Sequence, residues 1–193
     1  SPHIIFDDAD LKPALSAAGY ASSDQAYDEF GNLIRQAYYG AQGEPVMPAS
    51  LKYASVVRSC DADGNILREA YYDASGAMIA TPQGYAVCER AYDARGNVLS
   101  AAYLDASGLP VLLRDGYARK EQTYDPRGNV QTEAYFGVDG EPVSIRGGYH
   151  AARYEWDAAG QMTRLTYLDA GGHVSMHGLE SLLMVLGECR RLG

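Results

Sequence analysis

Apolar and polar positions along this chain repeat with a long period. Tyr20, Tyr53, Tyr85, Tyr117 and Tyr149 stand 33, 32, 32 and 32 residues apart. Each opens a unit in which short alternating stretches are broken by glycine-centred punctuation. The residues before the first break, such as Tyr85 to Tyr92, predict one strand, and those after it, such as Val98 to Leu104, predict the next. Periodicity at this length is the mark of a tandem-repeat architecture, in which each unit is one supersecondary element.

The columns within the unit are regular. An aromatic stands seven residues after the opening tyrosine, at Tyr27, Tyr92, Tyr124 and Trp156, with Cys60 as the exception. An aspartate follows in all five units, at Asp28, Asp61, Asp93, Asp125 and Asp157. Three residues on is glycine, at Gly31, Gly64, Gly96, Gly128 and Gly160, followed by Asn in four units and Gln161 in the last. A second tyrosine column runs Tyr38, Tyr71, Tyr103, Tyr135, Tyr167, and a second glycine column Gly43, Gly76, Gly108, Gly140, Gly172. Pro-Val follows the second glycine in three units. The Asp-x-x-Gly-Asn segment predicts a hairpin turn, with the carboxylate capping backbone N–H groups and glycine supplying positive φ. The second glycine ends the second strand. Proline after it predicts an edge or a short third strand, because it cannot donate to a central ladder.

Alternation along the second strand separates two faces. One carries Leu33, Ala37, Tyr39 and their equivalents and is expected to face the core. The other carries the second tyrosine column with Gln36, Glu69, Ala101, Glu133 and Leu165 between its rings, and is expected to be half exposed. On that expectation Tyr38, Tyr71, Tyr103, Tyr135 and Tyr167 form a ridge able to hold an extended partner, since tyrosine gives large contact area at low entropic cost. The competing reading makes the same rings a structural ladder of strand residues.

The predicted fold is all-β: a tandem β-hairpin array of five units of about 32 residues, as an open solenoid or a twisted meander. Residues 19–176 form the repeat domain. Residues 1–18 form an N-terminal cap, of which residues 8–18 are Ala-rich with helical character. Residues 177–193 carry Leu179, Leu182, Leu183 and Leu186 at helical spacing and predict a C-terminal helical cap or link.

Composition narrows the function. Tyr supplies 16 of the 20 aromatic residues, and Gly numbers 21, as strands joined by tight turns require. A net charge of −9 gives no basic footprint for a phosphate backbone, so no nucleic-acid partner is expected. No stretch is long and apolar enough to insert as a membrane helix. The first residue is Ser, which suggests processing or a piece of a longer chain, so the lack of a targeting signal says little about location.

The Y-D-x-x-G-N signature over about 19–174 resembles the YD repeats of bacterial RHS-type proteins and, more loosely, tandem hairpin repeats of the MORN type. RHS arrays form large β-shells that enclose a toxin domain. The unit here is longer than the usual YD unit, and five units are too few to enclose anything. The resemblance implies a bacterial, extracytoplasmic or cell-surface scaffold and no catalytic residues.

Asp61-Ala62-Asp63-Gly64-Asn65 begins like an acidic calcium loop but lacks the later Glu, and the other units lack the second ligand, so no metal is expected. His173 and His177 would share a helical face, but the HExxH glutamate is missing. Cys60, Cys88 and Cys189 form no CxxC pair or ligand cluster. No nucleophile elbow, P-loop or dinucleotide fingerprint occurs. The expectation is a non-catalytic module without cofactor, acting as a protein or polysaccharide interaction surface, by self-association, or as a spacer. The alternatives are a sensory or cell-wall-binding repeat domain attached to an enzyme elsewhere.

Overall fold

The computed structural model has eleven strands among its described residues, and all but the first follow from these columns. The structure describes residues 3–5 and 15–175. The strands are β1 (His3–Ile5), β2 (Ser22–Tyr27), β3 (Leu33–Tyr39), β4 (Ser55–Cys60), β5 (Ile66–Tyr72), β6 (Val87–Tyr92), β7 (Val98–Leu104), β8 (Arg119–Tyr124), β9 (Val130–Phe136), β10 (Ala151–Trp156) and β11 (Met162–Leu168). The fold is all-β, a meander of tandem antiparallel hairpins. The chain divides into two units, one of Ser1–Arg90 with Tyr103–Leu109, the other of Ala91–Ala102 with Pro110–Gly193. In both, neighbouring strands follow chain order.

Inside a repeat the two strands pair over six rungs, as Ser55↔Tyr72 to Cys60↔Ile66 do in β4 and β5. A register shift falls just before the aromatic or Cys60, for example between Thr123 and Tyr124. Between repeats the pairing is three rungs long: Arg35↔Val57 to Ala37↔Ser55, Arg68↔Glu89 to Ala70↔Val87, and Thr132↔Arg153 to Glu133↔Ala152 to Ala134↔Ala151. Hairpins are thus long-zipped and repeats short-zipped, so the contact between repeats leans on side chains.

The hairpin turns close as the Asp and Gly columns require. Asp93 Oδ1 accepts from the backbone N–H of Arg95 and of Asn97, at 2.8 and 2.9 Å, and its Oδ2 accepts from the Asn97 side-chain amide. Asp28, Asp61 and Asp125 repeat this set, and Asp157 repeats its backbone part with Ala159 and Gln161. Gly96 sits at φ +82°, where a β-branched side chain would be strained.

The second turn proves to be a copy of the first. Asp73 Oδ1 accepts from Ser75 and Ala77, and Asp105 and Asp169 do the same in their units. The signal was present as a second Asp-x-x-Gly, at Asp73–Gly76, Asp105–Gly108 and Asp169–Gly172. The segment after it adds no third strand. It makes one bridge back to the strand end, such as Tyr39↔Pro45 or Phe136↔Pro142.

Of the N-terminal cap, the structure describes residues 3–5 and 15–18. β1 pairs with β2 through His3↔Asp24 to Ile5↔Ser22, as β3 pairs with β4. Ser16 donates to the Tyr20 carbonyl and Gly19 to the Ser16 carbonyl, as Thr81 and Gly84 do ahead of Tyr85. These stretches therefore carry the pairing and turn of a repeat's second half. The backbone bonds of the turn, not alanine propensity, set residues 15–19. Residues 6–14 and the expected C-terminal helix, 177–193, lie outside the described residues.

Candidate functional site

The two tyrosine columns interleave. In the first unit the ring centroids of Tyr20–Tyr38, Tyr53–Tyr71 and Tyr85–Tyr103 lie 4.8–5.0 Å apart within a repeat. Tyr38–Tyr53 and Tyr71–Tyr85 bridge successive repeats at 6.3 and 6.1 Å. The second unit runs Tyr117–Tyr135–Tyr149–Tyr167 at 4.9, 6.1 and 4.3 Å. Most of these pairs are edge-on or tilted, the arrangement in which ring quadrupoles attract.

This corrects the expected half-exposed ridge. Tyr38, Tyr71 and Tyr135 are 6%, 9% and 7% exposed, and Tyr103 and Tyr167 are half-buried. The first-column rings lie over the second column, and buried Ser23, Val56, Cys88 and Ala152 occupy the adjoining strand positions. Alternation within one strand cannot show that a ring from the next repeat will cover it.

Beneath the rings the face is polar but paired. Glu69 is buried. Its Oε2 accepts from Arg58 Nε at 2.7 Å, with Arg90 3.8 Å from Oε1 and the Tyr71 hydroxyl bonded to the carboxylate. Burial alone would raise its pKa, but the bonds from Tyr71 and Arg58 and the charges of Arg58 and Arg90 outweigh it and hold the carboxyl below its ordinary value. In the second unit Glu133 accepts from Tyr135, Gln122 and Lys120. Burial and the neighbouring carboxylate push the Tyr71 and Tyr135 hydroxyls far up, and burial with neighbouring tyrosines pushes Tyr38 up to about 12. Such phenols stay protonated and are poor bases or nucleophiles near neutrality.

Further contacts between repeats escaped the sequence reading. The hydroxyl of Tyr124 donates to the Val98 carbonyl at 2.9 Å and Trp156 Nε1 to the Val130 carbonyl at 2.7 Å, each reaching 26 residues back. Arg95 and Arg127 reach from their turns to carbonyls of the following turn, at Pro126 and Ala158. Cys60, in the aromatic column, lacks that reach. Cys60 and Cys88 are free thiols whose pKa values burial raises, the opposite of activation. His173 packs beside Asp169 in a turn, and His177 and Cys189 lie outside the described residues. No group of three metal-ligating side chains occurs among the described residues.

The array's one irregular spacing marks a cleft. In four loops the residue ahead of the opening tyrosine's turn donates its N–H to that tyrosine's carbonyl: Ser16 to Tyr20, Thr81 to Tyr85, Leu113 to Tyr117, Ile145 to Tyr149. In the remaining loop this residue is Pro48, which has no N–H. The loop instead closes with Leu51 and Lys52 both donating to the Pro48 carbonyl, gains a residue, and puts Lys52 at φ +64°. Between this loop and Thr81–Gly84 lies a cleft of about 290 Å³, with Tyr53, Tyr71 and Tyr85 in its walls. A hollow of about 490 Å³ lies beside Ile5, Asp24 and Tyr39.

No family model matches the chain, and no curated protein is similar to it. Among solved structures it is similar to a chain of the Photorhabdus luminescens Tc holotoxin pore, at 14% identity and a TM-score of 0.42. The match covers 90% of this chain and 9% of that one.

Proposed function

We propose that the protein is a non-catalytic repeat module serving as a structural spacer within a larger bacterial surface or secreted protein of the YD-repeat kind. The observation that supports this best is the interleaved tyrosine ladder. Rings that a binding ridge would present to a ligand are instead spent on joining one repeat to the next. Buried rings, paired carboxylates and raised phenol pKa values all suit a scaffold rather than a reaction centre. The Y-D-x-x-G-N signature supports the kinship. Among the described residues no helix is long and apolar enough to cross a membrane.

A spacer made of repeats that contact their nearest neighbours tolerates a change in repeat number. Deleting residues 85–116, one full period, should leave a folded, shorter protein with the β-sheet circular dichroism of the parent and a cooperative melt. Loss of that signal would sink the spacer reading. The second reading, an interaction surface for a protein or polysaccharide, is favoured only by the cleft at Tyr53, Tyr71 and Tyr85.

A further inference from the structure

Sheet order ends at β11, so among the described residues no strand pairs with its outer edge. At the junctions between repeats that edge carries the next repeat. Tyr38, Tyr71 and Tyr135 each donate their N–H across it, to the carbonyls of Ala54, Ala86 and His150. The central rung of each junction lies two residues earlier, at Gln36↔Val56, Glu69↔Cys88 and Glu133↔Ala152. The equivalent residues of β11 are Tyr167 and Leu165. Alternate residues of an antiparallel ladder turn their N–H and C=O to the same side, so Leu165 shares the outward direction of Tyr167. The Tyr167 carbonyl accepts from Ser175 at 2.8 Å, as the Tyr38, Tyr71 and Tyr135 carbonyls accept from Val46, Ile79 and Val143. Among the described residues, the Tyr167 N–H and both backbone groups of Leu165 have no partner on that side. The side chains at this edge change with it. Arg58 stands across from Glu69 and Gln122 from Glu133, whereas Tyr154 stands across from Leu165. The polar layer thus ends in a half-buried leucine on the same face as the half-buried ring of Tyr167.

We infer that β11 pairs edge to edge, antiparallel, with β11 of a second copy of this chain, about a two-fold axis at Leu165. An open strand edge is a template for another strand, and a two-fold contact must match a surface to itself. Centred on Leu165, the pairing reproduces the central rung of the internal junctions. Leu165 exchanges two backbone bonds with its own copy, and each Tyr167 N–H reaches the Thr163 carbonyl of the other copy. Every rung is compatible in charge: Leu165 faces itself, Arg164 faces Thr166 and Thr163 faces Tyr167. The same pairing by β5 or β9 would set Glu69 or Glu133 against its own copy, and like charges directly opposite repel. A next repeat of the internal kind brings a cation to this position, as Arg90 comes to Glu69, and Leu165 offers it no charge. Leu165 instead packs diagonally on the Tyr167 ring of the other copy. It takes the place of the tyrosine that covers Tyr38, Tyr71 or Tyr135 from the next repeat. The contact closes at two copies, since it uses up the edge. It adds to the spacer reading, joining two arrays by their last repeats, and does not depend on it.

The test is sedimentation velocity on the whole chain. The concentration series runs from micromolar to near-millimolar, because so short a contact belongs at the weak end of protein interfaces. Monomer should pass into dimer, with no larger species. Leu165→Glu installs the residue of the second and fourth repeats and sets two carboxylates face to face. It should weaken dimerisation by roughly tenfold or more, and added salt should restore part of the loss. Leu165→Pro removes only an outward N–H, which an edge strand tolerates, and should also weaken the dimer. Leu165→Glu should keep the melting temperature of the dilute parent, because the fold already holds Glu69 and Glu133 at this position, so lost pairing cannot be laid to misfolding. A chain that stays monomeric through the whole series would overturn the proposal. A dimer that survives both substitutions would place the contact elsewhere and overturn it too. Growth past the dimer would mark head-to-tail addition of strands, which the two-fold pairing forbids. Deleting residues 85–116 leaves β11 intact, so the spacer reading stands or falls separately.

Discussion

Two loop junctions built from the same repeat end differently. Loops 113–116 and 145–148 are joined by the Arg146–Asp115 backbone bond, whereas loops 48–52 and 81–84 stand apart around a cleft. The tyrosines below are equivalent: Tyr71 and Tyr135 are both buried, both contact a tyrosine on each side, and both bond a carboxylate two residues earlier. The layer that holds repeats together is therefore conserved between the two places, while the loops above it are free to diverge. Pro48 sets its loop apart, because it lacks the N–H that closes the other four described loops of this kind.

The strongest way to break this comparison is to remove the shared layer. Tyr71→Ala and Tyr135→Ala should each cost about 3–5 kcal/mol, as large-to-small changes at buried aromatics do, and by similar amounts. Urea melts of the two variants check this. A much smaller loss at Tyr71 would mean that the open junction has loosened the ladder beneath it.

Alkali probes the same layer with a smaller effect spread over many groups. Tyr38, Tyr53, Tyr71, Tyr85, Tyr135, Tyr149 and Tyr154 all have pKa values raised above the ordinary 10.0, foremost by burial. A phenol with a raised folded-state pKa contributes stability that is intact below its unfolded pKa and is lost as pH climbs through the folded value. Melting temperature should therefore hold up to about pH 10 and fall steeply beyond it. Glu69 has the opposite sign. Its lowered pKa contributes stability above the ordinary carboxylate range that is lost as pH drops through the folded value. A melting temperature flat from neutral pH to well above pH 10 would show that the rings ionise freely, and the ladder would not be the packed layer described.

The smallest effect sharpens the loop difference. Lys52 holds a positive φ where the equivalent positions hold Gly19, Gly84, Gly116 and Gly148. Lys52→Gly should relieve left-handed strain of roughly 1–2 kcal/mol, less the chain entropy that glycine costs, for a net gain of about 0.5 kcal/mol. Gly84→Ala should destabilise by a comparable or larger amount. Thermal melts of both variants decide it. A stabilised Gly84→Ala would remove the conformational argument for the glycine column.

Much of this protein could be read in its letters because a tandem array writes each local rule five times. The strand after each turn, such as Val98–Leu104, and the Asp-x-x-Gly-Asn turn are fixed by contacts within a few residues, so sequence alone determined them. The second Asp-x-x-Gly turn obeyed the same local chemistry and was legible too. What tertiary structure decided lies between repeats. Tyr71 became core because Tyr53 and Tyr85 fold over it, and the cleft lies between two loops of successive repeats, 48–52 and 81–84. Neither is encoded in any one unit: covering a ring or leaving a gap depends on two segments about 32 residues apart, which only three short rungs of pairing bring into register.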